Sequence, residues 1–304
     1  MCIRDRATAF LNPGNANGAC VGDIDNDGDM DVFLPTADQS NRLYISQLSD
    51  TGELSYKDIS LTSGISHKSG ARGCAMGDFD NDGLIDIYVN NGGFQDTLIN
   101  DVIETLPIFV QFYIAIEPDV NKLFRNNGDL TFSDLTWRAR ASGYAFGSGV
   151  GAGDIDDDGF LDLYIGTGDP DYRSIQPNRM FINDNGQAFK DVTFESRLGH
   201  LQKGHGVSFA DIDQDGDLDI HAVMGGAYEG SVYQNTLYEN PGNWNTNWIG
   251  LSLHGSQSNA LAIGARIEIV LENGISIHRT VSSGGSFGGN PFQQMIGIGE
   301  NNKI

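Results

Sequence analysis

A ten-residue acidic motif occurs four times in the chain and constrains the fold more than any other feature. The copies are GDIDNDGDMD at 22–31, GDFDNDGLID at 77–86, GDIDDDGFLD at 153–162 and ADIDQDGDLD at 210–219. Their first aspartates are 55, 76 and 57 residues apart, which indicates an internal repeat with an insertion between the second and third copies. Two carboxylates about 4 Å apart repel each other by roughly 4 kcal/mol at an effective dielectric constant near 20. A folded loop of this composition therefore needs a counter-charge, and a metal ion is the favoured one.

The sequence around each motif predicts a four-stranded β unit. The motif runs into an apolar segment, and an aromatic-bearing strand then begins at Asn41, Asn121, Asn178 or Asn235. The segments GELSYKDIS, GDLTFSDLT and GQAFKDVT alternate with period two, as strands with one buried face do. Forty glycines against eight prolines suit many tight turns. A unit of about 55 to 60 residues that repeats around an axis is typical of a β-propeller.

The spacing of the acids favours calcium and argues against an EF-hand. In D-x-D-x-D-G-x-x-D, the first three aspartates converge on one ion and the glycine allows a sharp turn. An EF-hand then requires a glutamate at position 12, where this chain has Leu34, Val89, Ile165 and Ala222. Each copy instead has an aspartate at position 9, on an apolar strand. All the predicted ligands are oxygens, which favours calcium over magnesium, zinc or copper.

About four Ca²⁺ sites are expected, one in each acidic loop. Positions 1, 3, 5 and 9 are predicted to bind through carboxylates, and position 7 through its backbone carbonyl. Position 4, which is Asn26, Asn81, Asp157 or Gln214, is expected to face solvent. The predicted metal-binding residues are Asp23, Asp25, Asp27, Asp29, Asp31, Asp78, Asp80, Asp82, Leu84, Asp86, Asp154, Asp156, Asp158, Phe160, Asp162, Asp211, Asp213, Asp215, Asp217 and Asp219.

These residues resemble the FG-GAP and VCBS repeat families, which are calcium-loop propellers. The third copy carries the pattern literally in AFGSGVGAGDIDDDG at 145–159, and the other copies are looser. The tail from 247 to 299 is similar to the ASPIC/UnbV domain of the cartilage acidic protein-like family, through SNALAIGARIEI at 258–269 and the closing IGIG. Ala260 departs from that pattern, because an arginine commonly follows the Ser-Asn pair.

The resemblance implies two regions, FG-GAP/VCBS-type blades in 1–244 and an ASPIC/UnbV-like β domain, truncated at its C-terminal end, in 245–304. The predicted fold class is all-β: a calcium-loop β-propeller with four calcium-bearing blades, followed by a small β domain. The family's propeller has more blades than four, so an incomplete propeller is expected, with residues 7–12 as the last strand of a preceding blade. The insertion at 97–120 is expected to pack beneath the propeller or to cover a partner surface.

Charge and cysteine content limit the partners. The chain has 41 acidic and 18 basic residues, and its net charge of −23 argues against nucleic acid and anionic membranes. No apolar run reaches the roughly 18 residues of a membrane span. Cys20 and Cys74 are expected to be small core thiols rather than a functional pair. No signal peptide is visible, and the resemblance implies an extracellular, cell-surface or periplasmic location.

Two functions remain open from the sequence. The first is a non-enzymatic recognition or adhesion module whose protein or glycan ligand is unknown. The second is a carbohydrate-active lyase or hydrolase, or a glycan-binding protein, on the same scaffold. No P-loop, C-x-x-C or H-E-x-x-H motif and no nucleophile elbow is predicted. Because the loop aspartates are better explained as ligands, no catalytic residue is predicted.

Overall fold

The computed structural model describes residues 15–68, 70–92, 120–143, 147–168, 176–226, 229–230, 232–242, 245–257, 259–282 and 284–300. The predictions for 7–12 and, apart from its last residue, for the insertion at 97–120 lie outside these residues. The described residues contain nineteen strands and one helix of four residues, which confirms the all-β fold class. Among the described residues, the structure has no helix with the length and apolar character that crossing a bilayer demands.

The four acidic motifs lie in four antiparallel sheets, each built from strands that are consecutive in the chain. The first contains β1 (Cys20–Gly22), β2 (Asp31–Leu34), β3 (Arg42–Ser46) and β4 (Tyr56–Asp58), and the short helix α1 (Leu48–Thr51) lies between β3 and β4 in the chain. The second contains β5 (Ala71–Gly77), β6 (Asp86–Asn91), β7 (Lys122–Asn126) and β8 (Phe132–Asp134). The third contains β9 (Gly147–Gly153), β10 (Asp162–Thr167), β11 (Arg179–Asp184) and β12 (Ala188–Asp191). The fourth contains β13 (Gly204–Ala210), β14 (Asp219–Met224) and β15 (Thr236–Tyr238).

These sheets, called blades 1 to 4, pack face to face in chain order. One buried cluster combines Phe33 of blade 1 with Ile87 of blade 2. The next combines Tyr88 of blade 2 with Leu163 of blade 3. Because side chains alternate between the two faces of a strand, the neighbours Ile87 and Tyr88 contribute to different interfaces. A third cluster joins blades 3 and 4 in the same way, so the apolar strand residues form the successive interfaces of a blade-like propeller.

A polar contact closes the outer edge of each four-stranded blade. In blade 3, the guanidinium of Arg179 lies 2.7 Å from the carboxylate of Asp191. The other oxygen of Asp191 accepts a hydrogen bond from the Thr193 amide at 3.0 Å, and the Thr193 hydroxyl accepts one from the Met180 amide at 3.1 Å. The motif Asp-x-Ser/Thr therefore fixes the fourth strand to the third. Equivalent residues are Arg42, Asp58 and Ser60 in blade 1, and Lys122, Asp134 and Thr136 in blade 2.

A disulfide bond joins the first strands of blades 1 and 2. It connects Cys20 to Cys74, whose Cα atoms are 6.1 Å apart, and both residues are fully buried. The expectation of two separate core thiols was therefore wrong. The first strands of consecutive blades run side by side, so two residues 54 positions apart, about one repeat, lie next to each other.

The region after blade 4 forms a small β structure with its own core. Strand β16 (Asn247–Leu251) pairs with β19 (Gln294–Gly299), and β17 (Arg266–Val270) pairs with β18 (Ser276–Thr280). Ile269, Ile277 and Ile296 belong to one buried cluster, so the two strand pairs share a core. The predicted division at residue 245 stays a prediction.

The loop between β18 and β19 contacts the first strand of blade 2. The amide of Ser286 donates to the carbonyl of Cys74 at 2.9 Å, and its hydroxyl accepts from the Cys74 amide at 2.9 Å. Ser286 stands in GGSFG at 284–288, which matches G-x-S-x-G literally, although no nucleophile elbow is predicted from the sequence. A nucleophile elbow requires a turn from a strand into a helix, whereas this loop lies between the strands β18 and β19, so the match does not indicate a nucleophile. Here a Cβ on Gly285 would lie 2.2 Å from the Cys74 carbonyl oxygen, so glycine permits the close backbone approach.

Candidate metal centre

The four acidic loops, at 23–31, 78–86, 154–162 and 211–219, share one backbone conformation. The glycine at position 6 has a positive φ in every loop, and so does position 4, where asparagine and aspartate tolerate the left-handed region. The carboxylate at position 5 accepts a hydrogen bond from the amide at position 7, at 2.8 Å between Asp158 and Phe160 in loop 3. The φ values at position 4 are 61° at Asn26, 56° at Asn81, 56° at Asp157 and 66° at Gln214.

The aspartate at position 9 ties its loop to the third strand of the blade. In loop 3, one carboxylate oxygen of Asp162 accepts from the Ile155 amide at 2.8 Å, and the other accepts from the Asn183 amide at 2.7 Å. The same two contacts recur in the other three loops. The carboxylate itself thus links the loop to the third strand of the blade.

Each loop brings three carboxylate oxygens, from three different aspartates, within 4.8 Å of one another. Loops 1 and 4 combine positions 1, 3 and 5, whereas loops 2 and 3 combine positions 1, 3 and 9. The groups are Asp23, Asp25 and Asp27; Asp78, Asp80 and Asp86; Asp154, Asp156 and Asp162; and Asp211, Asp213 and Asp215. Outside these groups, the predicted ligands are Asp31, Asp82, Asp158 and Asp219 and, through position 7 carbonyls, Asp29, Leu84, Phe160 and Asp217. Their part in metal binding stays a prediction.

Several carboxylate oxygens in the loops are buried and have no hydrogen-bond partner. Every loop has at least one of them. A buried carboxylate oxygen without a partner is energetically costly, because it has lost its contacts with water. A divalent cation that takes oxygen ligands would satisfy the atoms at positions 1 and 3, of which every loop has at least one, so the donor set fits calcium. The atoms are the Oδ1 oxygens of Asp23, Asp29, Asp80, Asp154, Asp156, Asp211 and Asp217.

The same burial raises the pKa of the loop carboxyl groups. Burial, followed by repulsion from neighbouring carboxylates, raises the pKa of Asp25 to about 6 and that of Asp31 to about 7. Burial likewise raises the pKa of Asp78 and of Asp158 to about 6. A cation bound among these groups favours their ionised forms and so lowers their pKa values.

Position 4 does not face solvent in the first three loops. The amide of Asn26 donates to the carbonyl of Gly83 in loop 2 at 3.3 Å, and that of Asn81 donates to the carbonyl of Gly159 in loop 3 at 2.8 Å. Asp157, the third member, is only 5% exposed. The expectation of a solvent-facing position is therefore wrong for these loops and holds for loop 4. The reason is that the turn of one loop packs against the next loop.

An asparagine at or just after the end of the third strand joins each of blades 2, 3 and 4 to the preceding loop. The side-chain amide of Asn183 donates to the carbonyl of Phe79 in loop 2 at 2.8 Å and to that of Leu161 in loop 3 at 3.0 Å. Its backbone amide is the one that binds Asp162. This role was not predicted, although the asparagines stand in the sequences NNG, NDNG and NPG, which are typical of turns. The equivalent residues in blades 2 and 4 are Asn126 and Asn240.

Two arginines lie against loop carboxylates. The guanidinium of Arg125 approaches Asp80 at 2.6 Å and Asp82 at 2.9 Å. Arg279, from β18, lies 3.2 Å from Oδ2 of Asp154, and both side chains are almost fully buried. These contacts offset part of the loop charge, and they leave Oδ1 of Asp80 and of Asp154 without a hydrogen-bond partner.

The C-terminal β structure contacts all four loops. In loop 1, a Cβ on Gly264 would lie 2.2 Å from the Met30 side chain. In loop 2, Arg266 donates to the carbonyl of Gly83 at 3.0 Å. The backbone amide of Gly297 donates to Asp154 in loop 3 at 3.0 Å. In loop 4, Gly216 packs against the ring of Trp248. The acidic loops thus form the face of the blades on which the C-terminal region lies.

The repeat is found independently by comparison with protein families. A family model for an FG-GAP-like repeat matches residues 23–89 and 110–165, which include loops 1, 2 and 3. The chain carries FG-GAP-like repeats. Loop 4 lies outside the matched residues but has the same position 9 contacts and the same turn conformation as loops 1 to 3.

The chain is also similar to cartilage acidic protein 1 from three animals. It is 26% identical to the proteins of Mus musculus and Homo sapiens and 24% identical to that of Xenopus tropicalis, over 227 residues in each case. These matches cover 72% of this chain and 31% of each relative, so the chain spans less than a third of the length of the curated relatives it matches. The predicted family resemblance is confirmed, while the ASPIC/UnbV assignment of 245–304 stays a prediction.

Proposed function

We propose that this chain is a calcium-binding, extracellular β-propeller unit that acts as a recognition or adhesion module. The observation that carries the proposal is the set of buried, unpartnered carboxylate oxygens in all four loops. Aspartates without a ligand are usually exposed, where water solvates them. A cation with flexible oxygen coordination accounts for both their burial and their repetition.

The role proposed for calcium is structural. In loop 3, the aspartates at positions 1, 3 and 9 would hold the ion, together with the carbonyl of Phe160 at position 7. The ion would supply charge neutralisation and would fix the turn between the first two strands of the blade. Because Asn183 and its equivalents connect consecutive blades to these loops, a fixed loop also stabilises the interface with the next blade.

Two observations support an extracellular location. The Cys20–Cys74 disulfide is of the kind that persists in oxidising compartments. The chain is also similar to cartilage acidic protein 1. Extracellular calcium modules bind the ion at about 10⁻⁴ to 10⁻³ M, and we expect affinities in that range here.

Calorimetric titration of the chelator-treated chain with CaCl₂ tests the calcium proposal. We expect about four sites, and a melting temperature that rises with calcium concentration because the ion binds only the folded loops. Magnesium serves as the control cation, since it demands near-ideal octahedral geometry and should stabilise the chain less. No heat of binding together with an unchanged melting temperature would contradict the proposal.

Glycan binding is a second candidate for the recognition role. A cavity of about 520 Å³ lies between the inner strands of the blades and the C-terminal β structure. Trp248, which is 45% exposed, lines it together with the amide side chains of Gln214 and Gln293. An aromatic face beside amide groups suits a sugar ring, which presents both apolar and hydrogen-bonding surfaces.

The acids that line this cavity are Asp78, Asp154 and Asp211, the first aspartates of loops 2, 3 and 4. They are already accounted for as proposed calcium ligands, so the cavity favours binding over hydrolysis. A glycan array with the calcium-loaded chain tests this candidate. Trp248→Ala should abolish any glycan binding found, whereas Trp137→Ala, at an exposed tryptophan outside the cavity lining, should not. Equal binding by both variants would exclude the cavity as the glycan site.

A further inference from the structure

We infer that the β17–β18 hairpin is a calcium-linked clasp. Its two arginines, Arg266 and Arg279, bind the turn carbonyls of loops 2 and 3, so that cation binding in these loops and docking of the hairpin favour each other. The inference rests on the proposed function, because it requires a cation in the loops.

Both arginines contact the same atom of the repeated turn. Arg266 donates to the carbonyl of Gly83 at 3.0 Å, and Arg279 donates to the carbonyl of Gly159 at 3.1 Å. These glycines occupy position 6 of loops 2 and 3, with φ values of 88° and 93°. The direction of each carbonyl depends on this left-handed backbone, which is part of the folded turn that all four acidic loops share. The hairpin therefore binds the loops in the conformation that gathers their carboxylates.

A second group of contacts joins the hairpin to both loops at once. The Oδ1 of Asn81, at position 4 of loop 2, accepts from the His278 amide at 3.2 Å and from Arg279 at 3.4 Å. The Nδ2 of the same side chain donates to the Gly159 carbonyl at 2.8 Å. One asparagine thus connects loop 2, loop 3 and β18. Unwinding either loop would break several hydrogen bonds to the hairpin together.

The charges allow Arg279 and a cation to be bound at the same time. Arg279 occupies Oδ2 of Asp154, while Oδ1 is buried without a hydrogen-bond partner. Loop 3 contains five aspartates, so when all of them are ionised Arg279 and a dication together still leave the loop negatively charged. The loop therefore remains attractive to both positive groups, and the arginine does not have to leave when the ion binds.

Linkage makes the effect reciprocal. If calcium stabilises docking of the hairpin by some factor, the docked hairpin must raise the affinity of the loops for calcium by the same factor. We expect a coupling of roughly tenfold, which is within the range usual for linked sites.

Hydrogen exchange of the whole chain, with calcium and with a chelator, measures docking. We expect protection of peptides within 264–281 to fall roughly tenfold on chelation, while strand β10 keeps its protection. In saturating calcium, Arg279→Gln should expose the hairpin and weaken calcium binding at loop 3 by a similar factor. Arg279→Lys should restore part of both effects, because lysine keeps the charge but not the forked donors.

Arg179→Gln is the matched control, because Arg179 makes its ion pair with Asp191 at the outer edge of blade 3, away from the loops. It should leave hairpin protection and all calcium affinities unchanged. If Arg279→Gln does not fold, Arg266→Gln, at an exposed position with a contact to loop 2, replaces it.

The outcomes separate the clasp from the calcium proposal. If chelation unfolds the blades along with the hairpin, hydrogen exchange cannot separate the two. Calcium titration of Arg279→Gln, or of Arg266→Gln in its place, then tests the clasp, and one weakened calcium site supports it. Unchanged affinity at every site, or a hairpin whose protection does not depend on calcium in intact blades, overturns it and leaves calcium binding in place. A wild-type chain that binds no calcium contradicts the proposed function instead.

Discussion

Arg279 and Asp154 form a buried ion pair across 125 positions of the sequence, with 3.2 Å between Nη2 and Oδ2. The other oxygen of Asp154 is buried and has no hydrogen-bond partner. One carboxylate thus contacts the C-terminal strand on one side and faces the proposed metal position on the other. The acidic loops therefore serve two purposes: they gather carboxylates, and they form the surface on which the C-terminal β structure rests.

We expect Asp156→Ala to remove calcium binding from loop 3 and to leave the other loops intact. Asp156 belongs to the oxygen group of that loop, and its Oδ1 is one of the unpartnered buried atoms. Calorimetric titration should count one site fewer, and the melting temperature in calcium should fall. Glu195→Ala, which removes an acid from an exposed ion pair with Lys190, is the control and should change neither. An unchanged number of sites in Asp156→Ala would show that the ligands are misassigned.

Asp157→Asn is expected to stabilise the calcium-free chain. Burial, followed by repulsion from Asp154 and Asp217, raises the pKa of Asp157 to about 7, so at pH 8 the folded chain carries a buried charge among like charges. Asparagine removes that charge and is the residue found at this position in loops 1 and 2. We expect a higher melting temperature in chelator at pH 8, a smaller gain at pH 5.5, and no change in the number of calcium sites. A lower melting temperature at pH 8 would mean that the carboxylate is itself required.

Calcium should stabilise the chain more at pH 7.5 than at pH 5. Burial, and then the neighbouring acids, raise the pKa of Asp31 to about 7 and of Asp78 and Asp158 to about 6, against 3.8 as the ordinary value. Between about pH 4 and 7 the calcium-free folded chain therefore binds more protons than the unfolded chain, and the free energy of unfolding that these groups contribute falls as the pH rises.

Calcium binding must displace those protons, so the ion competes with them at low pH. We expect the difference in melting temperature between calcium and chelator to increase from pH 5 to pH 7.5. The heat of binding at pH 6 should also depend on the ionisation enthalpy of the buffer, which reports proton release. A calcium effect that is equal at both pH values would contradict the pKa assignments.

The convergence of the loop carboxylates could be predicted from the sequence because it is local. A loop such as Asp154 to Asp162 contains its glycine turn and its carboxylates within nine residues, and four copies with the same spacing identify the pattern. The strands could be predicted for the same reason, since alternation of buried and exposed residues is visible within a few positions.

The contacts between repeats could not be predicted in this way. Asn183, Asn81 and Arg279 bind backbone carbonyls of other loops, and a backbone carbonyl leaves no signature in the sequence. The pairing of Cys20 with Cys74 becomes evident only once the first strands of consecutive blades are known to be neighbours. The same packing of each loop against the next explains why position 4 is half-buried in loops 1 and 2 and buried in loop 3.

Asn183→Ala should destabilise the chain by about 2 kcal/mol or more. Its side-chain amide satisfies the carbonyls of Phe79 and Leu161, and each buried carbonyl left without a donor costs about 1–3 kcal/mol. Asn185→Gly, in the same turn, removes a hydrogen bond to the exposed side chain of Asp184 and keeps the left-handed backbone (φ 52°), so it is the control and should change stability little. Chemical denaturation in saturating calcium measures both variants. Equal stability of the two would mean that the connection between blades is not energetically important.

Loss of the Cys20–Cys74 disulfide should lower stability without removing any calcium site. The bond closes a loop between residues 54 positions apart, for which the chain-entropy estimate is about 4 kcal/mol. Neither cysteine is a proposed ligand, so Cys20→Ala combined with Cys74→Ala should bind calcium with the same stoichiometry but melt at a lower temperature.

A reducing agent should lower the melting temperature of the wild-type chain and leave that of the double variant unchanged. Cys2→Ala is the control for replacing a cysteine that is not part of this disulfide. A wild-type chain that is insensitive to reduction and equal in stability to the double variant would show that the two cysteines are not bonded, and it would remove the main structural support for an oxidising compartment.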